Sequence, residues 1–181
     1  MTTRPRSRVA LSVLVIVAVL AGGSILNLTR RYEVGLHEQK TDGLFYTLPT
    51  PLAPGAPGTV IRKERVNSAP LDSTAWRVIY HSRDQTGKDI AVSGIVVVPN
   101  GSVPAGGRTI ISWAHPTTGA ATQCAPSLSV DPFFTMEGVH ELLAAGYIVA
   151  ATDYPGLGVV GASSYLLGVP ESNSVLDAAR A

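Results

Sequence analysis

The feature that most constrains this chain is a short apolar run, Thr109–Ala114 (TIISWA), that breaks off into His115-Pro116-Thr117-Thr118-Gly119. Apolar residues without polar alternation read as a strand covered on both faces, the type expected at the centre of a parallel sheet. Covering both faces takes helices on both sides, which points to an α/β architecture. Loops leaving the end of such a strand are where α/β enzymes keep catalytic parts. The loop after Ala114 is therefore the first place to look for chemistry.

The flanking sequence fits that architecture. Val60–Val66 alternates loosely, and Trp76–Ser82 and Ile90–Val98 are rich in β-branched residues. The turn Asp84–Lys88 joins the last two as a hairpin. Asp131-Pro132 is placed to cap and start a helix carrying Phe134, Val139, Leu142 and Leu143, ended by Gly146. Tyr147–Ala151 reads as a second buried strand with the loop Asp153–Gly158 at its carboxyl end. Glu171–Ala181 opens a helix, and the chain stops within it. A hairpin followed by strand, loop and helix repeated twice predicts a sheet that is antiparallel at first and parallel later.

The segment 1–28 is of another kind. Arg4, Arg6 and Arg8 precede an uncharged apolar run, Val9–Leu28, that holds small residues at Ala21–Gly23. This reads as a cleavable signal peptide or, since Val9–Leu28 is just long enough to span a bilayer, as an N-terminal membrane anchor touching lipid through residues 9–28. A buried core helix is the remaining alternative. Signal and anchor alike make the remainder secreted or membrane-anchored, and in either case extracytoplasmic. Residues 29–58, with Pro49, Pro51, Pro54 and Pro57, form a Pro-rich lead-in, and 59–181 form the α/β domain.

Several chemistries are excluded. A net charge of +1 gives no electrostatic reason to expect nucleic acid. His37, His81, His115 and His140 show no i,i+4 pairing, and a single cysteine cannot build a zinc site, so no metal is expected. Gly156 and Gly158 lack the third glycine of a dinucleotide loop, and no cofactor is expected. No serine sits in G-x-S-x-G; the nearest candidates, Ser163 and Ser164 in GASSY, lack the second glycine and follow no strand. What remains is the loop after Ala114. Its N–H groups at Thr117, Thr118 and Gly119, or the Thr118 hydroxyl, are placed to stabilise an oxyanion. The same residues also suit a tight turn, with Pro116 fixing φ and the Thr hydroxyls satisfying backbone. His115 alone reads as a hydrogen-bonded structural residue. Cys124, the single cysteine of an exported chain, lacks its partner, forms an intermolecular bridge or serves as a small buried hydrophobe.

Five stretches together resemble the secretory lipases, the fungal lipase A-like group of α/β-hydrolases with many actinobacterial members. They are FYTLPTPL, RVIYHSRDQTGKDIAVSGIVVVP, ISWAHPTTGAATQCAPS, GYIVAATDYPGLG and ESNSVLDAARA, spanning Phe45 to Ala181. The resemblance implies the N-terminal half of an α/β-hydrolase fold and hydrolysis of carboxylic esters such as triacylglycerols, a lipid or ester thus being the substrate. It implies that Thr117–Gly119 belong to the oxyanion loop, with Pro116 standing where H-G-T-T-G has glycine. It implies that His115, Asp153 and Tyr154 line the site, and that Cys124 is half of a disulfide whose mate is absent here. It also implies that the nucleophile strand follows the final helix, so that no catalytic triad residue lies between Met1 and Ala181. The alternatives are an exported non-catalytic module that binds lipid or a partner, and a tethered fragment completed by a separate chain.

Overall fold

A computed structural model of the chain describes residues 5–181, and the side chains of 12–37 and 43–181. Arg4 lies outside the described residues, as do the side chains of Arg6 and Arg8. Five strands form one sheet: β1 (Val60–Val66), β2 (Ser73–Arg83), β3 (Asp89–Pro99), β4 (Ile110–Trp113) and β5 (Ile148–Thr152), in the spatial order β1-β2-β3-β5-β4. The β1–β2, β2–β3 and β3–β5 pairs are antiparallel and β4–β5 is parallel. This is the mixed sheet expected, a partial α/β-hydrolase fold.

The hairpin is the frame. β2 and β3 pair in unbroken register from Ser73–Pro99 to Arg83–Asp89. Its turn is fixed by Asp84, whose carboxylate accepts the N–H groups of Thr86 and Lys88, while Gly87 takes a positive φ. Side chains then alternate between faces. Ala75, Ile95, Val97, Val149 and Ala151 meet Phe133, Met136, Val139 and Leu143 on one face. Val78, Tyr80, Val92 and Ala150 meet Ala178 on the other. The helices on those two faces are α2 (Val139–Ala144) and α3 (Gly168–Ala178).

Among the described residues β5 inserts between β3 and β4, so the run Thr109–Ala114 forms the last strand of the described sheet, with Ile110 44% exposed. Two expectations need correction. The helix expected from Asp131 starts only at Val139. Asp131 instead accepts the Phe133 N–H and the Arg31 guanidinium, successive short turns follow, and Gly138 at φ +74° separates them from α2. Phe134, expected in the core, is 86% exposed. The last helix begins at Gly168, ahead of the expected Glu171, and closes at Ala178 rather than running off the end. Pro170 sits in its first turn, where a missing N–H costs nothing.

At the N-terminus, one helix, α1 (Pro5–Thr41), runs through the apolar segment and on into the stretch read as lead-in. Between Thr29 and Thr41 only Gly35 is a weak helix former, so nothing stops it sooner. Residues 12–37 are long and apolar enough to cross a bilayer, and their most apolar stretch is not buried within the protein. The Pro-rich arm beyond is tied down by Arg62, which donates to the carbonyls of Leu44, Phe45 and Thr47.

Candidate functional site

The loops at the carboxyl ends of β4 and β5 converge on one cleft. It encloses about 630 Å³, part of it open to solvent. One wall is His115–Gly119; the other runs from Tyr154 and Pro155 through Ser163–Leu166 to Glu171. Parallel neighbouring strands bring two loops to the same end of a sheet, which is why residues as distant in sequence as His115 and Tyr154 meet here.

The expected oxyanion residues lie on the cleft's rim. Thr117 and Thr118 are exposed, and Gly119 is half-buried at φ +128°. Any side chain at Gly119 would be strained by that φ and would also strike Cys124 Sγ, 2.5 Å from where its Cβ would stand. The Thr118 hydroxyl is engaged within the loop, donating to the Cys124 carbonyl at 2.9 Å. Among the described residues no acceptor takes the N–H groups of Thr117, Thr118 or Gly119. Cys124 is free and half-buried, and its contact with Gly119 braces the loop.

His115 is built in rather than poised. It is 7% exposed, with Nδ1 2.7 Å from the Pro116 carbonyl and Nε2 3.2 Å from the Asp153 carbonyl. With a carbonyl oxygen within hydrogen-bond distance of each ring nitrogen, a substrate would have to displace one of these contacts to reach the imidazole. Its ring tilts against Tyr154 at 4.4 Å between centroids, and the Tyr154 hydroxyl donates to the His115 carbonyl. Tyr154 itself sits at φ +68°, a conformation uncommon for anything but glycine, and burial raises its phenol pKa, with Glu171 adding to the effect.

Beneath the cleft lies a buried polar network that sequence reasoning did not assemble. Asp153, 1% exposed, accepts the Ser127 N–H at 2.9 Å and the hydroxyls of Ser127 and Ser93. Tyr46 Oη lies 2.7 Å from Ser127 Oγ, and Arg77 donates from Nε to the Ser127 carbonyl and from Nη1 to Glu64. Gly158 closes against the same point: at φ +70°, a Cβ there would meet Ser93 Oγ at 2.3 Å. Burial raises the Asp153 pKa, partly offset by the Ser127 and Ser93 hydrogen bonds. The network joins FYTLPTPL, CAPS and ATDYPGLG through Tyr46, Ser127 and Asp153. Ser127 and Ser93 carry no periodic signal, and only their appearance inside the quoted stretches could have marked them. Ser164, by contrast, is 4% exposed beside the cleft with no partner for its hydroxyl among the described residues. No cluster of metal-ligating side chains occurs among the described residues.

The fold has solved counterparts. Candida antarctica lipase A is 24% identical over 77% of this chain, with a TM-score of 0.59, and the match covers 34% of the lipase. The rice cell wall degrading esterase LipA from Xanthomonas oryzae is 23% identical over 70% of this chain, with a TM-score of 0.53, and the match covers 37% of it. The chain thus spans about a third of the length of the structures it matches. No family model and no curated protein matches the sequence.

Proposed function

We propose that this chain supplies the N-terminal part of a serine lipase or carboxylesterase that hydrolyses carboxylic esters such as triacylglycerols, with the catalytic triad outside residues 1–181. The observation that carries this reading is the cleft itself, formed by the β4 and β5 loops beside an apolar strand edge that no strand among the described residues pairs. The folds of a lipase and an esterase, each matched over about a third of its length, support it. In this reading the free N–H groups of Thr117–Gly119 face the ester's developing oxyanion, where preorganised donors are worth most. His115, Tyr154 and the Asp153 network hold that loop in place and take no proton. The apolar helix α1 exports the domain and keeps it at the membrane.

The purified chain is therefore expected to show no p-nitrophenyl ester turnover that a serine-directed phosphonate abolishes. Phosphonate-sensitive turnover would overturn the placement of the triad. Reading the coding sequence past codon 181 for a strand followed by G-x-S-x-G tests the positive side. A non-catalytic lipid-binding module is favoured by one observation, the engagement of both His115 nitrogens. Saturable binding of a fluorescent fatty acid, with unrelated sequence downstream, would decide for it.

A further inference from the structure

Helix α1 is not a loose tether. Its half-buried or buried residues between positions 24 and 37 are Asn27, Arg31, Val34 and Gly35, spaced i, i+4, i+7 and i+8, which places them on one helical face. That face meets the domain. Arg31 donates to the Ser68 carbonyl at 2.9 Å and to both carboxylate oxygens of Asp131, and its guanidinium lies 5.7 Å from the centre of the Phe133 ring. Gly35 packs so closely that a Cβ would stand 1.9 Å from the Val130 carbonyl oxygen. The remaining sides of α1, including Leu26, Leu28 and Tyr32, are exposed.

We propose that this contact fixes the domain against the membrane, and that the Asp131–Glu137 loop, with Phe134 foremost, lies in the headgroup layer of a phospholipid bilayer. The argument is one of height. The apolar run ends at Leu28, and Arg31 stands less than one helical turn, or about 4.5 Å, further along the helix. The headgroup layer is roughly 5–7 Å deep on each side of the hydrocarbon core. A loop bonded to Arg31 is therefore inside that layer whenever the apolar run spans the core, and the half-buried Asn27 brings the domain down to the boundary itself. Phe133 is buried under Arg31 while Phe134 next to it is 86% exposed, and Thr135 and Glu137 are exposed as well. An aromatic ring at this depth is stabilised by the interface. Thr135 and Met136 of the same loop line a small recess with Trp113, His115 and Asp153, so the layer that holds substrate lipid adjoins the floor of the candidate site.

The inference rests on the anchor reading of α1 and not on ester hydrolysis. It is tested with the full chain in phosphatidylcholine–phosphatidylglycerol vesicles. A Cys124→Ser background carries one environment-sensitive fluorophore at Phe134→Cys, at Glu137→Cys on the same loop, or at Thr86→Cys on the distant hairpin turn. Nitroxide-labelled lipids are expected to quench the first two and not the third. Adding Arg31→Ala is expected to abolish quenching at both loop positions while the chain still sediments with the vesicles. A membrane-bound chain unquenched at 134 and 137, or one quenched there regardless of Arg31, overturns the proposal. A mass showing cleavage near Ala21–Gly23 instead overturns the anchor reading, and the proposal falls with it.

Discussion

The two edges of the sheet are built on different plans. β1 reads VIRKERV: Arg62, Lys63, Glu64 and Arg65 line it, and its pairing with β2 is irregular between Val60 and Arg62. Charges and irregular pairing are how natural sheets prevent another strand from adding. β4 reads IISW, carries no charge, is regularly paired on one side only, and leaves the buried Trp113 Nε1 without a partner among the described residues. β1 is a sheet's end, whereas β4 has the composition of a sheet's middle. The candidate cleft opens beside the second kind of edge, so the unpaired strand and the proposed site are one problem.

The largest effects should come from exchanging those plans. In the detergent-solubilised full chain, the open β4 edge is expected to drive self-association, and Ile110→Lys to weaken it by about tenfold or more, or about 1.4 kcal/mol. Lys63→Val combined with Arg65→Val should create association at the other edge. Sedimentation velocity across a concentration series reads both. Association that survives Ile110→Lys unchanged would remove the contrast between the edges.

A second contrast sharpens the first, because each side of the sheet is braced by one carboxylate in opposite electrostatic circumstances. Asp153, directly after β5 and bonded to Ser93 of β3, is wholly buried with no cation bonded to it. Its neutral donors are two hydroxyls and one N–H. Asp153→Ala strands those donors and should cost about 3 kcal/mol by chemical denaturation. Asp153→Asn keeps an acceptor for the Ser127 N–H and should stay within about 1 kcal/mol of the parent at neutral pH. Since burial raises this pKa in the folded state, the folded chain holds the proton more readily than the unfolded one. The contribution to stability is then greatest below the unfolded value near 4 and declines as pH rises through the raised folded value. Asp153→Asn should flatten that decline in urea titrations taken upward from about pH 4. An equal loss for Ala and Asn would mean that the charge itself, not the acceptor geometry, is what the network needs.

How much of this was legible in the sequence depends on the range of the forces involved. The hairpin was, because local alternation and the Asp84–Gly87 turn specify it between Ser73 and Pro99. The position of β4 was not: apolar composition shows what a strand's faces want but not which neighbours lie beside it. The inner place goes to β5, which the chain reaches only after α2. The helix expected at Asp131 starts late although Asp131 accepts both the Phe133 N–H and the Arg31 guanidinium, because short turns follow it and Gly138, in the left-handed region, separates them from α2. Long-range bonding hid the Ser127–Asp153 network, whose members are individually unremarkable polar residues in loops and strands. His115 and Tyr154 border the candidate cleft, yet what they bond to, each other and the Asp153 carbonyl, depends on two loops meeting.

The smallest effect lies on the β1 side. Asp89 is partly exposed and binds the Gly55 N–H, His81 Nδ1 and the Arg83 guanidinium. Burial pushes its pKa up, but the Gly55 and His81 hydrogen bonds, with the charges of His81 and Arg83, outweigh it and leave the pKa below the ordinary value. The sign is therefore opposite to that of Asp153. Stability from Asp89 is present above the unfolded value near 4 and lost as pH falls through the depressed folded value. Partial exposure screens the pairs, so Asp89→Asn should cost under about 1 kcal/mol at neutral pH. The loss should vanish as pH falls through that depressed folded value, where the parent carboxylate is itself protonated. Thermal melts of parent and variant across that range check it. A loss that persists at low pH would show that hydrogen-bond geometry, which Asn only partly keeps, braces the Gly55 arm, and that charge does not.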